Sequence, residues 1–320
     1  MPTPDEIRLE DIRAARDRLA GLVTRTPLVR LDVPDAAGQL WLKLENLQPI
    51  GSFKLRGAAN AMLSAEQHRL ARGAYTASAG NMAQGVAWSA RHLGVPCTVV
   101  VPEHAPQTKV DAVERLGGRV VKVPFDRWWQ TLVDHSYPGM DGLFVHPVSD
   151  PAVIAGNGTI GLEIIEDLSD VDTILVPFGG GGLSSGIATA VRALRPDVKV
   201  FGCEVATSTP LTSALAAGEP VRVVRSPSFI DGIGGNGVLA EMWPLVSTLL
   251  AGALVSSVEQ IAAAVRLLLE RARVVAEGAG AASLAAALGH RVGGKVVCVV
   301  SGGNIDDAKL ATILNGGVPV

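Results

Sequence analysis

The sequence predicts an α/β fold built on mostly parallel sheets, and two observations predict it. Short apolar runs rich in β-branched residues alternate with segments of helical periodicity along the 320 residues, which is the order of strand–helix–strand units. The runs that start at Cys97 and Lys295 are almost continuously apolar, as strands covered by helices on both faces require. Because the chain is 48% hydrophobic and 18% charged, it can bury a substantial core.

Six apolar runs are predicted to be strands because β-branched residues dominate them. They are residues 40–44, 97–101, 120–123, 173–176, 198–203 and 295–300. Ala74–Ala77 is predicted as a further strand. An amphipathic helix is predicted around residues 11–22. Another helix is predicted after Ser257, whose spacing to Gln260 is that of a capping box.

Composition and charge exclude several functional classes. The net charge of −3 provides no basic face, so we expect no nucleic-acid partner. No run reaches the roughly 18 apolar residues of a membrane span, and the N-terminal residues lack the apolar stretch of a signal peptide. The three cysteines, Cys97, Cys203 and Cys298, each lie in an apolar run. We therefore expect buried, reduced thiols and a cytoplasmic protein with no membrane partner.

The strongest local motif is a run of four glycines, residues 179–182, between an apolar run and the helical pattern of residues 184–194. Glycines at a helix start let main-chain N–H groups face a phosphate. A tight turn without a ligand is the alternative, although four glycines exceed what a turn needs. The dinucleotide spacing Gly-x-Gly-x-x-Gly and the Walker lysine are both missing from this motif, so it favours a single phosphate group.

A second glycine-rich stretch, residues 232–237, does match the dinucleotide spacing. Its context is wrong for that function, because Ser226, Pro227 and Ser228 precede it where a strand is required. We interpret it instead as a loop that lines the active site. Two polar, glycine-containing loops, residues 78–81 and 301–304, each follow a predicted strand. Ligands of open α/β sheets collect at the carboxyl ends of strands, so we expect these loops to converge on one site.

Lys54 has the most unusual context of the lysines. Gly51, Ser52 and Phe53 form a loop that leads into a predicted helix over residues 55–62. A lysine beside a helix start lies in positive electrostatic potential, which disfavours its charged form. A neutral amine is the form that attacks a carbonyl group. Most lysines are simply solvated surface charges, and on this argument alone that alternative stays open.

These motifs together resemble a known family. Residues 43–49 (KLENLQP) and 51–58 (GSFKLRGA) are similar to the signature around the cofactor lysine of the serine/threonine dehydratases. Further matches run in family order at residues 78–81, 83–87, 153–156, 158–163, 179–182, 277–280 and 301–304. The chain thus resembles the fold-type II, or tryptophan-synthase-β-like, enzymes that depend on pyridoxal 5′-phosphate (PLP).

The resemblance implies a fold and a domain division. It implies an α/β protein with two open, mostly parallel, twisted sheets, helices on both faces of them, and the cofactor in the cleft between two domains. The large, PLP-binding domain is expected over residues 1–46 and 147–320, and the small domain over residues 47–146. A homodimer is expected, and a C-terminal regulatory domain is not.

The resemblance also implies a role for each site residue. Lys54 is expected to hold PLP and later to move the α-proton of the substrate. Asn81 is expected to contact the hydroxyl group of the PLP ring, Ser301 the pyridine nitrogen, and Phe53 to pack near the ring. The phosphate group is expected to bind Gly179, Gly180, Gly181, Gly182 and Leu183. A small amino-acid substrate is expected to bind Ser78, Ala79, Gly80, Asn81 and Met82.

The implied reaction is β-elimination, in which a small L-hydroxy-amino acid such as L-threonine or L-serine gives a 2-oxo acid and ammonia. Serine racemisation is one alternative, and dehydration of hydroxyaspartate or phenylserine is another. Met82 stands where the family usually has His, and Asn157 where it usually has Gln. The apolar Met82 favours a larger or more apolar β-substituent as the alternative. Ala79 stands where family racemases carry a serine that supplies a second acid or base.

A metal site is not expected. Glu204 matches the acidic residue that binds a cation in some relatives, but the second acid expected a few residues later is missing. Hard cations need several oxygen ligands. Glu204 is therefore only a weak candidate.

Overall fold

The computed structural model describes residues 7–319 and has ten strands within that range. They are β1 (Leu28–Leu31), β2 (Gly38–Leu44), β3 (Ala74–Ala77), β4 (Cys97–Pro102), β5 (Arg119–Val123), β6 (Leu143–Phe144), β7 (Thr173–Pro177), β8 (Lys199–Val205), β9 (Gly252–Ser256) and β10 (Gly294–Val300). A six-stranded sheet has the order β1-β2-β10-β7-β8-β9, and a four-stranded sheet has the order β5-β4-β3-β6. Only β1 pairs antiparallel to its neighbour. The predicted α/β fold with two mostly parallel sheets is confirmed.

Helices connect these strands. They are α1 (Leu9–Leu19), α2 (Lys54–Leu63), α3 (Gln67–Leu70), α4 (Asn81–Leu93), α5 (Gln107–Arg115), α6 (Phe125–Val133), α7 (Pro151–Asp167), α8 (Gly182–Leu194), α9 (Pro210–Ala217), α10 (Trp243–Leu249), α11 (Val258–Leu267), α12 (Gly278–Gly289) and α13 (Asp307–Leu314). Within residues 7–319, no helix has the length and apolar character needed to cross a membrane.

Helices cover both faces of the six-stranded sheet, as predicted. Ile174 and Val176 of β7 belong to an apolar cluster shared with α7 and α8. Leu175, between them, belongs to a different cluster shared with α11 and α12. Successive strand residues face opposite sides of a sheet, so both faces of β7 are buried. The continuous apolar runs in the sequence reflect this double burial.

The sequence prediction missed three strands, β1, β6 and β9, and all three lie at the edge of a sheet. An edge strand is covered on fewer sides, so it needs no continuous apolar run. The N-terminal helix ends at Leu19, earlier than predicted, because Ala20 leaves the helical conformation and Gly21 has a φ of +77°. The three cysteines are buried and unpaired, as predicted.

The division into domains at residues 46/47 and 147 remains a prediction. Strands of the six-stranded sheet come from residues 28–44 and 173–300, and those of the four-stranded sheet from residues 74–144. Both predicted borders therefore fall in segments that connect the two sheets.

Candidate active site

A cavity of about 140 Å³ lies beyond the carboxyl ends of β7 and β10. It is lined by the sequence-predicted cofactor residues, which come from four separate segments of the chain. These are Phe53, Lys54, Asn81, Gly179, Gly180, Gly181, Gly182, Leu183 and Ser301. Gly232 and Ile233 also line it, so the second glycine-rich stretch contributes to the site as predicted. Their roles toward a cofactor stay predictions, but their convergence is a property of the fold.

The glycine loop joins β7 to α8, and three of its four glycines have no room or no allowed backbone conformation for a side chain. A Cβ atom on Gly180 would lie 2.6 Å from a methyl carbon of Val148, and one on Gly182 would lie 2.5 Å from the main-chain oxygen of Val148. Gly181 has a φ of +96°, which side chains disfavour. The loop therefore brings bare main chain to the cavity at the N-terminus of α8, which suits a phosphate group.

Lys54 is the first residue of α2. Its Nζ donates a hydrogen bond of 2.6 Å to the main-chain oxygen of Pro147 and lies 5.2 Å from the centre of the Phe53 ring. Burial lowers the pKa of Lys54 to about 8. The predicted position at a helix start is correct, but burial of the ammonium group is the cause of the shift. Near pH 8 about half of this amine is neutral.

Glu277 lines the cavity and was missed as a functional residue. Asn81 donates from Nδ2 to its Oε1 over 2.8 Å, and Asn304 donates to Asn81 Oδ1 over 2.7 Å. Burial, followed by the charge of Asp231, raises the pKa of Glu277 to about 7. The available signal was an acidic residue directly before the Gly/Ala-rich start of α12.

The predicted substrate residues span the start of α4: residues 78–80 precede the helix, and Asn81 and Met82 are its first two residues. Gly80 is the N-terminal cap of that helix, and its N–H donates to the Ser78 hydroxyl over 3.2 Å. Gly80 lines a neighbouring opening of about 350 Å³ that also reaches Glu277 and Asn304. Met82 is buried in the apolar cluster beside the four-stranded sheet, and the partly buried Ala79 packs against that cluster. The part of Met82 in choosing the substrate stays a prediction.

A buried network of charges anchors α2 next to the cavity. Arg56 donates two hydrogen bonds of 2.8 Å to the carboxylate of Glu45 and one of 2.7 Å to Glu163. Lys43 donates to the other oxygen of Glu163 over 2.6 Å. These four side chains are buried. The network joins β2, α2 and α7, and it holds the helix that begins with Lys54.

Glu204, the weak metal candidate, already has hydrogen-bond donors at both carboxylate oxygens. The main-chain N–H groups of Leu211 and Thr212 donate to it over 2.6 and 2.9 Å, and the Thr212 hydroxyl donates over 2.6 Å. It therefore binds the N-terminal end of α9, where a carboxylate is favoured.

The residues around the cavity fit PLP. A phosphate needs the bare main chain of residues 179–182 at a helix start, and an aldehyde needs an amine with a lowered pKa, which Lys54 provides. Ser301 is buried and lines the cavity, and its main-chain oxygen accepts a hydrogen bond from Phe53. The glycine loop, the Lys54 amine and Ser301 together suit a small compound that carries a phosphate group and a carbonyl group.

Comparison with known proteins agrees with this fit. The family described as "Pyridoxal-phosphate dependent enzyme" matches residues 19–302. L-threonine ammonia-lyase of Geobacter sulfurreducens is 43% identical over 319 residues, which cover 96% of this chain and 78% of that protein. The crystal structure of threonine deaminase from T.th. has a TM-score of 0.86 at 36% identity and covers 93% of this chain and 99% of that one. Serine racemase from Dictyostelium discoideum has a TM-score of 0.84 at 31% identity, with coverages of 94% and 99%.

Proposed function

The chain belongs to the family of PLP-dependent enzymes and is an ammonia-lyase of the threonine dehydratase type, and from this premise we propose that it converts a small β-hydroxy L-amino acid, such as L-threonine or L-serine, to a 2-oxo acid and ammonia. The predicted family, fold class and cofactor are confirmed. One observation carries the proposal: the Lys54 amine, the four-glycine loop and Ser301 line one cavity.

PLP, when bound, withdraws electrons from the α-carbon of the amino acid and so makes its proton acidic. The glycine loop and the start of α8 would bind the phosphate group through main-chain N–H groups. The hydroxyl of Ser301 would meet the pyridine nitrogen, and the amide of Asn81 the ring hydroxyl. Phe53 and Leu183 supply apolar contacts in the cavity.

The acid–base group of the reaction is Nζ of Lys54. Its pKa of about 8 leaves a substantial neutral fraction near physiological pH, and a neutral amine accepts a proton. The hydrogen bond to the Pro147 oxygen holds Nζ at the cavity wall. The amine can therefore remove the α-proton of a bound substrate without first losing a proton to solvent.

The substrate carboxylate would bind at the start of α4. Gly80 precedes this helix and Asn81 begins it, so main-chain N–H groups and the positive end of the helix dipole favour an anion there. The Ser78 hydroxyl, which accepts from the Gly80 N–H, fixes the shape of this loop.

An assay for 2-oxo acids tests the proposal. We expect the PLP-bound protein to release 2-oxo acid from L-threonine or L-serine, and Lys54→Ala to reduce that release to a few per cent or less. Lys199→Ala changes an exposed lysine on β8 and is the matched control. Elimination by Lys54→Ala at rates well above a few per cent would remove Lys54 from this role.

We also propose a homodimer in the cytoplasm. Buried, unpaired cysteines suit a reducing compartment, and the family resemblance supports the dimer. Light scattering on the purified protein measures the oligomeric state, and a monomeric mass would contradict the proposal.

A further inference from the structure

A second cavity of about 280 Å³ lies directly beside the cofactor cavity. Four residues line both cavities: Pro147, Val148, Gly179 and Gly180. Pro147 is also the residue whose main-chain oxygen accepts the hydrogen bond from Lys54 Nζ. The α-carbon of a substrate must lie near this amine, so the second cavity is adjacent to the place where the side chain of the substrate would lie.

The wall that α6 contributes to this cavity is apolar. Trp129, Leu132 and Val133 line it from α6, and Leu239 lines it from the segment before α10. Trp129 is 42% exposed and Val133 is 55% exposed. Large apolar side chains exposed beside a cavity mark a binding site for an apolar group.

The remaining wall holds two histidines and Glu241. The rings of His135 and His146 stack, with their centres 4.5 Å apart and their planes 7° from parallel. Nδ1 of His146 accepts hydrogen bonds from the main-chain N–H groups of Ser149, at 2.8 Å, and Val148, at 3.3 Å. The proton of its neutral ring is therefore on Nε2, and the ring offers an aromatic face and an N–H donor.

A metal ion is a weaker occupant than an organic group. A ring nitrogen of each histidine and a carboxylate oxygen of Glu241 lie within 4.8 Å of one another, which is close enough for shared ligation. Ligation needs an unprotonated nitrogen from each ring. In His146 that nitrogen already accepts two main-chain hydrogen bonds.

The charges in the cavity disfavour a substrate whose side chain carries a carboxylate. Over residues 7–319, the side chains that line it include Glu241 but no lysine or arginine. A β-carboxylate, as in hydroxyaspartate, would meet this acid without a cationic partner. The methyl group of threonine would leave most of the volume empty.

We propose that the second cavity binds the aromatic β-substituent of a 3-aryl-3-hydroxy-2-amino acid, of which L-threo-3-phenylserine is the simplest. The aryl ring packs against the indole of Trp129 and the stacked imidazoles, where aromatic contacts are favourable. This inference rests on the proposed elimination. The Cα–H and Cβ–O bonds of phenylserine break, water leaves, and hydrolysis of the released enamine gives phenylpyruvate and ammonia.

Substrate comparison on the PLP-bound protein tests the inference. We expect kcat/KM for L-threo-3-phenylserine to equal or exceed that for L-threonine. Trp129→Ala should lower the ratio of kcat/KM for phenylserine to kcat/KM for threonine about tenfold or more, because it removes the aromatic wall. Phe125→Ala is the matched control: Phe125 is 54% exposed on the same helix but does not line the cavity, so the ratio should stay unchanged.

Calorimetric titration with phenylpyruvate supplies a readout that does not depend on turnover. We expect it to bind the unmodified protein and to bind Trp129→Ala about tenfold more weakly. If neither amino acid is turned over but this binding pattern holds, the elimination is wrong and the aryl site stands. Turnover of L-threonine but not of phenylserine, or equal effects of Trp129→Ala on both substrates, would overturn the aryl site alone.

Discussion

Arg56 and Glu45 form a bidentate ion pair in the interior of the protein. The Nε and Nη2 atoms of Arg56 each donate to a different oxygen of Glu45 over 2.8 Å. Arg56 lies two residues after Lys54, and Glu45 lies in a short 3₁₀ turn after β2. The pair therefore ties the start of the helix that begins with Lys54 to the large sheet.

We predict that Arg56→Leu lowers the free energy of unfolding by about 3–5 kcal/mol, because it leaves buried carboxylates without their partner. Urea denaturation of the unmodified protein and the variant measures this change. Arg266→Leu is the control, because the side chain of Arg266 is 46% exposed and pairs with Glu270 on the surface. Such surface pairs contribute about 1 kcal/mol or less to the free energy of unfolding. Equal losses for the two variants would contradict the role of the buried network.

We predict that the Lys54 amine in the cofactor-free protein titrates near pH 8. Burial disfavours its charged form and lowers its pKa to about 8, so the neutral, reactive fraction rises as the pH passes through that value. Trace acetylation followed by mass spectrometry reports the reactivity of this one lysine at each pH. The urea-unfolded protein is the reference, where a lysine titrates near the ordinary value of about 10.4. The same midpoint in both states would refute the argument from burial.

We predict little loss of activity in a metal chelator. The Glu204 carboxylate already accepts three hydrogen bonds from the start of α9, which leaves it poorly suited to a cation that needs several oxygens. Activity before and after dialysis against EDTA is the measurement. A severe loss that Mg²⁺ or Ca²⁺ restores would show that Glu204 contributes to a cation site.

We predict that the protein racemises L-serine very slowly. Racemisation needs a proton donor or acceptor on each face of the α-carbon, and Lys54 reaches only one face. Ala79 has no exchangeable proton, and its side chain is only partly buried against the apolar cluster beside the four-stranded sheet. Ala79→Ser should therefore increase racemisation, as measured by chiral analysis of L-serine incubated in deuterated water. Fast formation of D-serine by the unmodified protein would contradict both the loop alignment and the assignment as a lyase.

The parts of the site that are local in sequence were predictable. The glycine loop is contiguous and lies between a strand and a helix, so its position and its conformation follow from residues 179–182 themselves. Lys54 follows a glycine-containing loop and begins a helix, which is also a local feature. The central strands were predictable because burial on both faces requires continuous apolar runs.

The sequence alone determined the α/β class, the central strands, the four-glycine loop and the position of Lys54 at a helix start, because each depends on short-range periodicity or on a contiguous motif. Only the tertiary structure decided what surrounds them. The partner of Lys54 is 93 residues away in sequence, the carboxylate that meets Asn81 is 196 away, and the Glu163 carboxylate that meets Arg56 is 107 away. Such contacts depend on how the two sheets and the helices between them pack. The pKa values of Lys54 and Glu277 depend in turn on that packing, because burial is a property of the whole fold.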